Sequence, residues 1–377
     1  MKTLVLIGGG HSHAITLRLL GRQPLPEVRL ILISDVAHAP YSGMLPGHLA
    51  GFYSFAECHI DLRALARLAQ AEFILDTAIR LNLKTNQVLC GQHEPIDFDW
   101  LSIDIGSTPA TMDIPGVQEY AIAAKPVPQF LAAWQQFVAQ KFDRSISVGI
   151  VGGGAGGVEL ALTLQVQLQQ ICPAGVTIHL FHRQSELMSS YADVVRRRFK
   201  QVLLDRGIRL HLNEAVESIA SLAPMEDSLK LVRCRSGLDI PCDQVIWVTQ
   251  AAAPAWMRQS GLSTDQQGFI LIKDTLQSLS HPYIFATGDI ATMSEQPRPK
   301  AGVFAVRQGK PLFTNLQRIT TGQSLQSFLP QQRYLSLIGL GNQQAIATWG
   351  NICTRPSRLL WWWKDRIDRK FISQFLP

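Results

Sequence analysis

Two glycine-rich turns and one acidic strand end carry the chemistry that can be read directly from this chain. The first turn is Gly8-Gly9-Gly10-His11-Ser12-His13 and the second is Gly152-Gly153-Gly154-Ala155-Gly156-Gly157. Each follows a short apolar run (residues 4–7 and 146–151) and opens a helical pattern (14–20 and 158–168). A strand that passes through such a turn into a helix aims unpaired N–H groups and the positive end of the helix dipole at one point. That arrangement holds a pyrophosphate. Gly8 and Gly10 in the first turn, and Gly152, Gly154 and Gly157 in the second, are therefore expected to cradle dinucleotides. His13 stands where a third glycine usually lets helix and strand pack closely, which predicts a looser crossing or a ring turned outward. His11, Ser12 and His13 are candidate donors on the anion side, with inert helix-start histidines as the other reading. Two histidines are too few for a metal and do not share a helix face, so no metal site is expected.

The second strand of such a unit normally ends in an acid that binds ribose hydroxyls. Asp35 occupies that place in the first unit. The second unit has His182-Arg183 there instead, a pattern that suits a 2′-phosphate, so NADPH is expected alongside NADH; a solvated Arg183 is the alternative. Further on, residues 283–289 form an apolar strand that ends in Gly288-Asp289. A carboxylate delivered there, at a helix start facing the nucleotide crevice, can accept hydrogen bonds from a polyol.

The elements that must position these groups form two βαβ units 144 residues apart, since each unit returns to a second apolar run (28–33 and 176–181). Apolar runs at 100–105, 244–249 and 282–287 supply further strands. The expected fold class is α/β, with two Rossmann-like nucleotide-binding domains followed by a β-hairpin and an amphipathic helix. The expected division is 1–118 with 266–325, 119–265, and 326–377. Residues 333–339 and 345–349 flank Gly341-Asn342, a hairpin signal, and 358–375 read as a helix. On that helix Leu360, Trp363, Ile367, Phe371 and Phe375 recur at helical spacing and predict one apolar face. Lys364, Arg366, Arg369 and Lys370 surround it, and Trp361–Trp363 are residues that settle at lipid headgroups. A membrane-surface anchor and an interface with a partner domain or in a homodimer are the two expectations.

Composition narrows the field. The 377 residues are 46% hydrophobic and 17% charged, with a net charge of +6. Nucleic acid is not expected as a partner despite that charge. Seven Lys/Arg and two acids between 331 and 377 account for +5 of it, leaving the nucleotide-binding body close to neutral. No apolar run approaches the roughly 18 residues that span a bilayer, and the first apolar run is too short for a signal peptide, so a cytoplasmic location is expected. Six cysteines lie scattered with no CxxC pair, against a zinc site or a disulfide framework.

These residues resemble the FAD-dependent pyridine nucleotide–disulfide oxidoreductases: two glycine motifs about 140 residues apart and a late Ala-Thr-Gly288-Asp289. The resemblance implies FAD on the first motif, NAD(P)H on the second, and Asp289 on the ribityl–pyrophosphate part of the flavin. Asp104-Ile-Gly106-Ser107 and Val248-Thr-Gln250 resemble the family's two other glycine strand ends in degenerate form. The branch it most resembles is the type II NADH dehydrogenases, because residues 152–159 match Gly-Gly-Gly-x-x-Gly-x-Glu. That implies Glu159 near the nicotinamide–flavin contact and a quinone or other small acceptor. Gly302-Val303 and Arg307 depart from the branch's quinone-side helix. Lys300, just before that helix, is a candidate for stabilising charge on reduced flavin, with a solvent-facing lysine as the alternative. The stretches at 7–13, 39–51, 57–63, 179–183 and 300–309 resemble more closely a flavoprotein module fused ahead of selenide, water dikinase. A redox-sensing or feeder module for such a partner is thus one alternative function, and a sulfide:quinone reductase-like enzyme another.

Overall fold

The computed structural model describes residues 1–110, 113–222 and 229–376. Its two largest sheets have five parallel strands each. The first runs in the order Ile284–Ala286, Trp100–Ile103, Lys2–Ile7, Val28–Ser34, Glu72–Leu75. The second repeats it as Ala121–Ala123, Gln244–Trp247, Ile146–Val151, Val176–His182, Arg209–Leu212. The glycine turns thus leave the middle strand of both sheets, and helices α1 (His11–Arg22) and α2 (Ala155–Ile171) follow them. Strands buried on both faces read as continuous apolar runs, which is why residues 4–7 and 146–151 were legible.

The duplication extends further than the βαβ units. A three-stranded antiparallel meander accompanies each sheet, at Ala78–Asn82, Gln87–Cys90 and Ile96–Asp97, and at Val216–Ser221, Lys230–Cys234 and Asp239–Cys242. The chain passes between the units twice, and there Thr108–Pro109 pairs antiparallel with Ala251–Ala252. Helix α3 (Gly302–Thr320) returns against α1, where the Ser12 hydroxyl donates to the Ala305 carbonyl at 2.7 Å.

The expected hairpin forms from Ser336–Gly339 and Ala345–Trp349, with Ile352–Cys353 as a third strand. Its Ile338, Leu340 and Ile346 are buried in the core of the second unit. Helix α4 (Arg358–Ile372) then crosses to the first unit, whose core takes in Phe371, Ile372 and Phe375. The last 50 residues therefore strap the units together. The apolar face of α4 is rotated from its predicted position: Trp363 and Ile367 are 43% and 42% exposed, while Asp368 and Ile372 are buried. Polar pairs decide the rotation. Lys364 donates to Asp368 at 2.6 Å, Tyr41 donates to Asp368 at 3.0 Å, and Tyr53 donates to Asp365 at 2.8 Å. Periodicity of apolar residues alone gives no sight of such pairs. Among the described residues no helix is long and apolar enough to cross a membrane.

Candidate active site

At the first turn, Gly8 has φ +91°, and a Cβ there would strike the carbonyl of Asp104. The turn can approach its neighbours this closely only because it has no side chains. His13 behaves otherwise than expected. Its ring points inward, wholly buried, with Nδ1 2.7 Å from the Gly8 carbonyl and Nε2 2.8 Å from the Ser102 hydroxyl. It bolts the turn to the neighbouring strand. Burial pushes its pKa down to about 4 against the Gly8 hydrogen bond, so it is neutral and faces no phosphate. The side chain of Ser12 is committed to α3, and its amide donates to the Asp104 carboxylate at 2.9 Å. His11 keeps a free group: Nε2 is buried with no hydrogen-bond partner, and the ring lies beside Tyr41 and Phe371. Burial lowers its pKa to about 4, partly offset by Asp289. Asp35 stands exposed just beyond the end of its strand, as a ribose-binding acid would.

Asp289 emerges from Ile284–Ala286 through Thr287 and Gly288, which has φ +69°. The Gly288 amide donates to the Gln308 side chain on α3 at 2.7 Å, which fixes the turn. Lys125, from the second unit, donates to Asp289 at 2.8 Å and to Ser107 at 2.9 Å. Burial opposes ionisation of Asp289, but the Lys125 ammonium, together with Lys300 and the Ser107 hydroxyl, outweighs it and holds the carboxyl below its usual range. Nothing in the sequence around Lys125 marks it; only the fold brings it across from the other unit. Thr287 Oγ1 is buried without a partner. Gly106 has φ +72° and open space around it. Lys300 lines the cleft beside Gly288 and Asp289. Its Nζ is held by the Ala291 carbonyl at 2.6 Å and the Thr292 hydroxyl at 2.8 Å, over the Phe269 ring. Burial brings its pKa down to about 8. Its charge is thus directed at the strand Ala291–Met293 rather than left in solvent.

At the second turn, Gly152 has φ +128°, and a Cβ there would strike the Val248 carbonyl. A Cβ on Gly157 would overlap the Gly152 carbonyl, so helix and strand cross at the closest approach. A Cβ on Gly154 would point into open space. The Gly153 amide donates to His182 Nδ1 at 3.1 Å, which leaves the ring proton on Nε2, buried and unpartnered. Arg183 is exposed and donates to the Gln250 side chain at 2.9 Å. Glu159 lies on α2 and accepts the Gly339 amide at 2.8 Å, clamping the hairpin to the second unit. Burial raises its pKa, against the nearby Lys364 ammonium. Glu159 and Lys364 line one cleft of about 300 Å³ with Phe52, Tyr53 and Trp361.

Both turns fit the groups expected of them. Each offers a glycine cradle at a helix N-terminus and an unpartnered buried ring nitrogen, Nε2 of His11 or of His182, which a dinucleotide would satisfy. Over residues 2–309 the chain matches the family described as pyridine nucleotide-disulphide oxidoreductase. It belongs to that family. Among relatives, this oxidoreductase is 24% identical over 376 residues to the NADH dehydrogenase-like protein YutJ of Bacillus subtilis, covering 97% of this chain and 99% of that one. It is 27% identical to demethylphylloquinone reductase NdbB of Synechocystis, covering 67% and 61%. The structure of the sulfide:quinone oxidoreductase from Aquifex aeolicus superimposes with a TM-score of 0.76 at 18% identity, covering 100% of this chain and 91% of that one.

The cysteines of the oxidoreductase do not gather at either turn. Cys58, Cys90, Cys172, Cys234 and Cys242 are buried, and all six are free thiols. Burial pushes Cys58 and Cys90 up to about 11 and Cys234 and Cys242 up to about 12, protonated and poorly nucleophilic.

Proposed function

We propose that this chain takes hydride from NAD(P)H onto FAD and passes the electrons to a quinone. The observation that carries the reading is the pair of equivalent sheets, each with a glycine cradle at its middle strand and one with Asp289 beside it. When bound, the flavin accepts hydride and returns electrons to an acceptor; the fold's task is to hold and orient the two dinucleotides. On the first unit, the α1 turn, Asp35 and Asp289 would hold FAD. On the second, Gly152, Gly154, Gly157 and His182 would hold the pyrophosphate of NAD(P)H, with Arg183 free to swing from Gln250 to a 2′-phosphate. Glu159 would act as a positioning residue, fixing α2 against the hairpin through the Gly339 amide. Quinone reduction by a relative, as in the name of the Synechocystis protein, supports the choice of acceptor.

The test is anaerobic. FAD-loaded protein should lose its visible flavin absorbance on adding NADH or NADPH and recover it on adding a short-chain quinone. No bleaching with either nucleotide would overturn the reading. If Arg183 serves a 2′-phosphate, Arg183→Ala lowers kcat/KM for NADPH about tenfold and leaves NADH unchanged, a loss of about 1.4 kcal/mol.

We further propose that α4 holds the enzyme to an anionic membrane surface. With Phe371 and Phe375 buried, the exposed residues are Leu359 (78%), Trp362 (56%), Trp363 and Ile367, flanked by Arg358, Arg366 and Lys370. A truncation would cut into the core, so the informative variant is the surface triple Leu359→Ser, Trp362→Ser, Trp363→Ser. It is expected to keep the wild-type unfolding midpoint and to lose flotation with phosphatidylserine liposomes. Flotation equal to wild type would sink the anchor.

A further inference from the structure

Asp104 follows the strand Trp100–Ile103 and reaches beneath the first glycine turn. Its backbone carbonyl accepts the Gly10 amide at 3.1 Å, and its carboxylate accepts the amides of Ser12 at 2.9 Å and His13 at 3.1 Å. A Cβ on Gly10 or on Gly288 would overlap this carboxylate, so it is wedged between the two turns that would take the flavin's pyrophosphate. The side chain is 2% exposed. The opening amides of a dinucleotide-binding helix are the groups a pyrophosphate normally draws on. Here two of them are already given to an internal carboxyl group.

The charged and titratable groups around Asp104 do not neutralise it. From the Gly288 turn comes Asp289, a second carboxylate, whose ammonium partner Lys125 is shared with Ser107. From α1 come His11 and His13, both neutral at pH 7. From the segment before α3 comes Lys300, held by Ala291 and Thr292. A doubly charged pyrophosphate would therefore meet an uncompensated carboxylate, and like charges in one desolvated site drive one of them to take a proton.

We propose that Asp104 couples cofactor binding to proton uptake: one proton is taken onto its carboxyl as the FAD pyrophosphate docks at α1. The proposal rests on the assignment of FAD to the first unit. Burial, reinforced by Asp289 and opposed by the His13 and Ser12 amides, places the free-state pKa at about 7, within reach of a neutral-pH exchange. The neutral acid can still accept the Ser12 or His13 amide through its carbonyl oxygen, so the turn keeps its geometry.

The experiment is a fluorescence titration of the apoprotein with FAD between about pH 6 and 9, together with calorimetry in phosphate and Tris at about pH 8. The wild type is expected to show a flat Kd below about pH 7 and a rise approaching tenfold per unit above it, with uptake approaching one proton per FAD. Asp104→Asn is expected to lose this rise and to bind FAD more tightly than wild type at alkaline pH. Any slope due to Lys300 would begin near its own pKa of about 8 and survive in that variant. Absence of proton uptake in the wild type overturns the proposal even if Asp104→Asn does not fold. So does an unchanged rise in the variant. A wild type that binds no FAD at any pH overturns the flavin assignment and this proposal with it.

Discussion

Gly157→Ala is expected to abolish useful NAD(P)H binding while leaving bound FAD in place. A methyl group at 157 overlaps the carbonyl of Gly152, and both atoms belong to backbone. Gly152 cannot retreat, because its own φ of +128° sets it against the Val248 carbonyl. The start of α2 must therefore move, at a cost of about 1–3 kcal/mol. That movement also withdraws the amides that face the nucleotide. We expect NAD(P)H affinity to fall about 100-fold, equivalent to about 2.7 kcal/mol. Anaerobic titration of the oxidised holoenzyme with NAD(P)⁺ analogues reads the affinity, and the flavin spectrum reads the first unit. Gly154→Ala is the matching control for stability, since its Cβ meets nothing within 4 Å. It should unfold at the wild-type midpoint and still bind nucleotide poorly, because the open space is where the pyrophosphate must come. Wild-type affinity in Gly157→Ala would show that the second cradle is not the nucleotide site.

The second large effect is expected at Asp289. Asp289→Ala should purify without flavin and reconstitute with FAD about 10- to 100-fold more weakly, as expected for loss of hydrogen bonds to a charged acceptor worth about 1.5–3 kcal/mol. The fold should survive, because the orphaned Lys125 side chain is already 41% exposed and can turn to water. Lys125→Ala keeps the carboxylate and should cost less. The measurements are the flavin-to-protein absorbance ratio and the midpoint of thermal unfolding. Full flavin content in Asp289→Ala would remove that residue from the site.

The glycine turns were legible in sequence because glycine is demanded by local backbone geometry. Gly8, Gly152 and Gly288 all have φ in the left-handed region, and Gly157 stands where no side chain fits. Such constraints act over a few residues and leave a mark on the chain. The inward turn of His13 is hidden in the sequence for the opposite reason. Its place under the turn depends on Ser102, 89 residues away, and a histidine that fills the third glycine's space by bonding inward looks identical in sequence to one that faces a ligand. The roles of Lys125 and Asp104 are hidden in the sequence on the same ground: their partners, Asp289 and the amides of α1, are remote along the chain.

The tail shows the same division. Its charge and its helical periodicity follow from composition and spacing, and both hold in the structure. Which face it buries does not follow, because amphipathic spacing permits neighbouring faces and the choice lies with Tyr41, Tyr53 and Gly43 on the first unit. The sequence by itself determined the two α/β units, their glycine turns and the acidic strand end, since these rest on short-range sterics and on continuous apolar runs buried on both faces. Only the tertiary structure decided that a buried carboxyl group already takes amides of the first turn, that a lysine of one unit pairs with the acid of the other, and that the C-terminal strap joins them. Those outcomes depend on charges and donors meeting across long loops, where burial makes each pairing consequential and sequence distance hides it.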